Sequence, residues 1–317
     1  MKNNSDLEPQ NSDASYHISV LLQESIQGLN IQPNGTYVDV TFGGGGHSNA
    51  ILNALGADGR LIAFDQDADA QKNALDDNRF TLVKANFEDM NRFLRLHEVN
   101  SVDGILADLG VSSWQFDTAE RGFSFRFDGP LDMRMNQQGQ VTAADVLNEK
   151  SAEELQLMFS LYGEVRNAKT LAQTIVEARL QRPFVTIADL KVVVNQCRMG
   201  EAHKYYAQVF QAIRIEVNNE LGTLKKLLEQ SAEALKSGGR LAVITFHSLE
   251  DRLVKNYMKH GNFEDEPTKD FFGNFERKFK LITKKPIEAG EKEKRENSRK
   301  DIETGCKNKT PIATQNL

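Results

Sequence analysis

Cysteine and tryptophan are scarce in this chain, long apolar runs are missing, and acidic side chains outnumber basic ones. The two cysteines, Cys197 and Cys306, supply neither a disulfide framework nor a zinc cluster. No stretch is apolar and long enough to span a bilayer, and the polar residues Met1 to Ser15 lack the apolar core of a secretion signal, so the cytoplasm is the expected compartment. A Gly-x-x-x-x-Gly-Lys-Ser/Thr phosphate loop is also missing, which argues against ATP hydrolysis. The net charge of -6 leaves any contact with nucleic acid to local basic patches. Candidates are Arg121, Arg126 and Arg134, then Arg179 with Arg182, then Lys204, then the tail from Arg277 to Lys300; each also reads as an ordinary solvated face.

What the chain does have is glycine in one place. Tyr37-Val-Asp-Val-Thr-Phe-Gly-Gly-Gly-Gly-His-Ser48 runs an apolar strand into four glycines and then into a helical pattern. Glycines at Gly43 to Gly46 allow positive φ and bring main-chain N–H groups against a ligand that a Cβ would push away. The match to the dinucleotide fingerprint is imperfect, since the third glycine position, counted from Gly43, falls on Ser48. Arg60-Leu-Ile-Ala-Phe-Asp65 reads as the next strand and ends in an acid about 20 residues beyond the glycines, where a ribose diol would sit. Asp65 is either that ribose clamp or a cap on the following helix.

With 317 residues and 39% hydrophobic content, the chain has room for roughly two domains. Strands are expected at Thr36–Val40, Leu61–Phe64, Phe80–Lys84 and Val102–Asp108, separated by helices at His47–Leu55, Ala68–Asn78 and Met90–His97. That alternation is the pattern of an α/β, doubly wound parallel sheet. From Asp117 to about Val217 the pattern turns helical, with a capping box at Ser151 and Glu154 and another helix start at Thr186. The sheet pattern resumes through a long helix from Asn218 to Lys236, a stop at Ser237-Gly238-Gly239 and the strand Arg240–Phe246. An all-helical domain, residues 117–217, is thus inserted between sheet segments 16–116 and 218–290, with tails at 1–15 and 291–317. Because it leaves from the carboxyl end of the fourth strand, it should roof the ligand site.

Two strand ends aim polar groups at one crevice. Asp108-Leu-Gly-Val-Ser-Ser113 closes the fourth strand beside the glycine turn, and His247-Ser248-Leu-Glu-Asp251 follows the fifth. Asp108 can accept a hydrogen bond from a ligand or cap its own loop. His247 reads as a catalytic group or as a hydrogen-bonded histidine, with Ser248 and Asp251 as a capping box. Phe123, Phe125 and Phe127 alternate with polar residues as in an extended segment with one buried face; they and Trp114 pack, or stack an unpaired base.

His17-Ile-Ser-Val-Leu-Leu-Gln-Glu24, Gly43–Ser48, Asp108–Ser113, Arg121–Arg134, Gln211-Ala-Ile-Arg-Ile-Glu-Val-Asn218 and Thr245–Asp251, taken together and in this order, resemble the RsmH (MraW) family of bacterial 16S rRNA cytosine N4-methyltransferases. The resemblance implies a Rossmann-like class I methyltransferase sheet with an inserted helical domain and S-adenosylmethionine as cofactor. Methyl transfer would go to a cytidine amine in the decoding region of the small-subunit rRNA, with no metal and no membrane involved. It places cofactor contacts at Gly45, Gly46, His47, Asp65, Phe87, Asp108 and Gln115, and catalysis at Asp108, with His247 second. Where that family usually has Arg-Ser-Ala-Lys-Leu-Arg as its last sheet strand, this chain has Asn297–Cys306, which leaves open whether that strand forms. A nicotinamide-dependent oxidoreductase and a non-catalytic cofactor-binding ribosome assembly factor are the alternatives.

Overall fold

The structure, a computed structural model, describes residues 19–283, 285–290 and 309–315. The tail expected at 1–15 and the segment Asn297–Cys306 lie outside the described residues. After α1 (Leu22–Leu29) come β1 (Thr36–Asp39), α2 (Gly46–Ala54), β2 (Arg60–Asp65), β3 (Phe80–Lys84), α3 (Met90–Leu96) and β4 (Val102–Asp108). A helical run follows: α4 (Ser113–Asp117), α5 (Ala143–Glu149), α6 (Ala152–Gly163), α7 (Ala168–Gln181), α8 (Ile187–Cys197) and α9 (Ala202–Asn218). The chain then returns through α10 (Glu220–Ala234), β5 (Leu235–Ile244) and α11 (Ser248–His260), and ends in β6 (Phe279–Leu281), β7 (Ile287–Glu288), β8 (Lys309–Thr310) and β9 (Ile312–Gln315).

The main sheet has the order β3-β2-β1-β4-β5-β9-β6, with the first five strands parallel and β9 antiparallel to both its neighbours. Its inner strands are continuous apolar runs because both faces are covered; Leu61 to Phe64 are wholly buried. Alternate residues divide between two cores. Val38, Ile62, Phe64, Ile105 and Val243 face Leu94, Leu227 and Val254 of α3, α10 and α11. Tyr37, Leu61, Leu106 and Ala242 face Leu29 of α1 and Ile51 and Leu52 of α2. The helical run builds a core of its own from Phe123 to Ile213. The chain leaves β1 toward β2 on one side and enters β4 on the other, so the sheet's switch point lies between β1 and β4, and the carboxyl ends of those strands flank a crevice.

Three expectations change, and the long helix near Asn218 is kept. The helix expected over Ala68–Asn78 is a single 3₁₀ turn, Asp69–Asn73. Asp65 and Asp67 each accept a main-chain N–H two residues on, and these local bonds compete with a helical start. The long helix expected over Asn218–Lys236 is found as α10, Glu220–Ala234, set off from α9 by Asn219 with φ of 48°. Ser237-Gly238-Gly239 is an irregularity inside β5, where pairing jumps from Val102↔Leu235 to Gly104↔Arg240. Finally, a tail does not run to the end of the chain: Ile312–Gln315 enters the sheet between β5 and β6, since its apolar pair Ile312 and Ala313 completes the core.

Candidate cofactor and catalytic site

The glycine turn behaves as its composition demands. Gly43 and Gly45 have φ of 52° and 78°, and Gly45 is the N-cap of α2, so that helix starts just past the carboxyl end of β1. Beneath the turn, Asp39 is fully buried at the end of β1. Its Oδ2 accepts from Ser48 Oγ at 2.7 Å, and its Oδ1 accepts from the Thr41 amide at 3.1 Å. Burial pushes its pKa up, with His47, Ser48 and Thr41 pulling the other way. Thr41 Oγ1 in turn accepts from the Asp108 amide at 2.7 Å, tying the ends of β1 and β4 together.

Asp108 stands where β4 stops. Its Oδ2 lies 3.7 Å from His47 Nδ1, while its Oδ1 is buried with no hydrogen-bond partner. His47 is almost fully buried, and its Nε2 is 3.1 Å from the Val20 carbonyl. A carbonyl can only accept, so Nε2 carries a proton and Nδ1 faces the carboxylate.

Asp65 accepts from the Gly43 amide and the Asp67 amide, each at 2.8 Å, and caps no helix side. Burial pushes its carboxyl up to about 6, the two amides opposing it. Gln66 and Asn86 bond to each other, and Gln66 Nε2 also reaches Met135 Sδ at 3.4 Å. An open cleft with a cavity of only about 40 Å³ is lined by Thr41, Gln66, Phe87, Gly110, Met135 and Glu250, among others. It spans the ends of β1 to β4 and the start of α10.

Gln115 is buried and does two jobs. Its Oε1 accepts from the Ser112 amide in a capping box, and its Nε2 donates to Asp67 Oδ2 at 2.7 Å. Asp67, which sequence reading missed, also takes Arg121 Nη1 at 2.6 Å. Trp114 is exposed beside them, its indole N–H 3.4 Å from Asp69.

On the other side of the cavity, His247 is the N-cap of α11, its Nδ1 facing the Glu250 amide at 3.4 Å; the capping box expected from Ser248 and Asp251 is replaced by this arrangement. Its Nε2 lies 3.2 Å from Glu250 Oε1 without hydrogen-bond alignment. Burial alone would raise the Glu250 pKa, but His247, the Phe246 amide and Arg214 together hold it below the ordinary carboxylate value. Glu220, His247 and Glu250 bring ligand-type atoms within 4.8 Å of one another, and Arg214 grips Glu220 through two bonds of 2.7 and 2.9 Å. The arrangement is a buried ionic network, with the guanidinium supplying the counter-charge.

The basic patches are largely structural. Arg121 is buried, Arg134 pairs with Asp132 and the Gly139 carbonyl, and Arg179 caps the carbonyls of Leu147 and Lys150. Arg182 and Lys204 remain exposed. Phe123 and Phe125 pack inside the helical core, Phe125 stacked on Tyr206 at 5.4 Å, while Phe127 is part exposed under Arg126. Among the described residues no helix is long and apolar enough to cross a membrane.

The profile of the MraW methylase family matches residues 14–302. A ribosomal RNA small subunit methyltransferase H from Bacteroides fragilis (strain YCH46) is 54% identical over 288 residues, 90% of this chain and 95% of that protein. One of the same name from Flavobacterium johnsoniae is 57% identical over 270 residues, 85% of this chain and 89% of that protein. Among solved structures, an rRNA methylase from Streptococcus thermophilus aligns at 11% identity with a TM-score of 0.43, over 95% of this chain and 99% of that one. At such values the architecture rests on the strand order itself.

Proposed function

The chain belongs to the MraW methylase family, and from that premise we propose that it transfers a methyl group from S-adenosylmethionine to the N4 amine of a cytidine in the decoding region of 16S rRNA. The substrate would be the small ribosomal subunit, met in the cytoplasm. The single observation that carries this reading is Asp108 Oδ1: a buried carboxylate oxygen with no partner, at the carboxyl end of β4 and beside the glycine turn. A buried polar atom left unbonded is costly unless a ligand completes it.

The cofactor fits the residues present. The turn at Gly45, Gly46 and His47 would take its methionine end, Asp65 its ribose hydroxyls, and Phe87 its adenine, with Gln115 closing the methionine side. When bound, it supplies a methyl already activated on a sulfonium. The protein's share is alignment, which contributes about 7 to 11 kcal/mol in favourable cases.

A cytosine amine is a poor nucleophile because its lone pair is delocalised into the ring. Asp108 Oδ1 accepts one N–H, which lets the nitrogen pyramidalise and direct its lone pair at the methyl carbon. Asp108 would then take the surplus proton of the methylated amine and pass it to solvent. His47, held by the Val20 carbonyl, stands 3.7 Å from Oδ2 and takes no hydrogen bond from Asp108, which leaves Oδ1 free for the substrate. His247 supports the opposite wall through Glu250.

Asp108→Ala should retain S-adenosylhomocysteine binding within about tenfold and lose about a hundredfold or more in turnover. Labelled methyl transfer to unmethylated small subunits, followed by mass analysis of nucleosides, reads both the reaction and the base. Near-normal turnover in the variant removes Asp108 from the chemistry; label in any product other than N4-methylcytidine overturns the base assignment.

A further inference from the structure

Arg121 opens the Arg121–Arg134 segment, yet neither the cofactor seat nor the catalytic carboxylate accounts for it. It is buried, it lies just after α4, and its guanidinium joins three parts of the chain. Nη1 bonds Asp67 Oδ2 at 2.6 Å and reaches Asp69 Oδ2 at 3.4 Å, both in the loop that follows Asp65. Nη2 bonds the carbonyls of Arg134 and Met135 at 2.9 and 3.2 Å. Asp67 in turn holds Gln115 and donates its own amide to Asp65.

The strap that Arg121 grips is under constraint. Met133 is wholly buried with φ of 59°, a left-handed conformation that a side chain of its size rarely adopts. Asn218 takes the strap from the other side, accepting from the Met135 amide and donating to the Met133 carbonyl, each at 2.8 Å. Met135 then lines the cavity, where Gln66 touches its sulfur. The strap is therefore suspended between the loop of β2 and the junction of α9 with α10, and it walls the space beside the cofactor seat.

We propose that Arg121 is a positioning residue: through Asp67 it couples the cofactor loop to the Met133–Met135 strap, so that a filled cofactor seat sets the wall against which the target base is placed. A planar fork is needed for this, because one group must satisfy a carboxylate and two carbonyls at once. A lysine keeps the charge but cannot span all of them. The inference rests on the methyl-transfer reading, and its test separates the two.

Hydrogen–deuterium exchange on the full-length protein, with and without S-adenosylhomocysteine, reads the coupling without any rRNA. In the wild type, ligand should slow exchange about fivefold or more both at the glycine turn, residues 41–48, and at the strap, residues 131–139. In Arg121→Lys the turn should remain protected while the strap is not. Asp67→Asn should behave alike, and it provides a second variant in which the arginine is intact. With small subunits as substrate, each variant should lose about thirtyfold in kcat while KM for S-adenosylmethionine stays within about threefold. The double variant should be no worse than the weaker single one. Strap protection that persists in both variants, or losses that multiply, overturns the coupling. Absence of protection at residues 41–48 in the wild type overturns the cofactor reading, and the coupling falls with it.

Discussion

At the residue scale, the acids at strand ends were readable and the ones inside the loops were not. Asp65 and Asp108 stand out because an apolar strand has little use for a terminal carboxylate, and the structure places both at the carboxyl edge of the sheet. Asp67 and Arg121 carry no such mark; charge along a sequence says nothing of burial, so Arg121 reads as surface until the fold brings Asp67 to it, 54 positions away. The alternation Asp65, Asp67, Asp69 after a strand was the one available hint. Asp65 yields a pH prediction. Its folded pKa of about 6 is raised above the ordinary 3.8, so its contribution to stability is complete below the unfolded value and is lost as pH rises through 6. The ribose contact proposed for Asp65 is stronger to the ionised form, so ligand affinity should move the opposite way. Binding of S-adenosylhomocysteine, followed by calorimetry, should tighten about tenfold from pH 5 to pH 7 and then level off. Asp65→Asn should bind weakly with no such rise; an identical rise in that variant would assign the titration to another group.

At the element scale, helix starts were the most legible feature. A Ser or Thr followed three residues later by an acid or amide marks α5, α6 and α8, and in each the side chain and backbone exchange both capping bonds. Such signals are local, and the structure preserves them. The 3₁₀ turn after β2 was not legible, because it turns on which local bonds Asp65 and Asp67 accept, whereas the boundary near Asn218 was read to within two residues. Asn219 can adopt its left-handed turn, but only the packing of α9 and α10 on different cores requires it. Thr186 tests the independence of these layers. It caps α8 in the helical run and touches no residue of the cofactor seat, so Thr186→Ala should cost about 1 kcal/mol. Thermal unfolding should show a small fall in Tm, with S-adenosylhomocysteine affinity unchanged. A loss of affinity would mean that the helical run and the seat are more tightly linked than their separate cores imply.

At the scale of the whole molecule, the parallel character of the first five strands follows from the alternation of elements, whereas the closing of the sheet does not. β9 is short and stands alone in a stretch with no repeating pattern, so its partner is settled only in three dimensions. There it covers the edge of β5, Ile312 packs with Leu29 and Ile51, Thr314 Oγ1 donates to the Gly239 carbonyl at 3.0 Å, and Gln315 Nε2 donates to the Ala232 carbonyl at 2.6 Å. A Cβ on Gly28 would run into the Ile312 side chain, so the first helix is fitted to the last strand. Ile312→Ala should therefore cost about 2 to 5 kcal/mol, the range for a truncated core residue, and lower Tm accordingly. Removal of residues 309–317 should cost more and should also make the protein associate, because the bared edge of β5 offers unpaired N–H and C=O groups to another chain. Light scattering during a thermal melt distinguishes the two effects: the point variant should unfold earlier without associating first, and the truncated chain should associate below its own Tm. An unchanged Tm in the truncated chain would mean that β5 is the true edge of the sheet and that the end of the chain is dispensable for the fold.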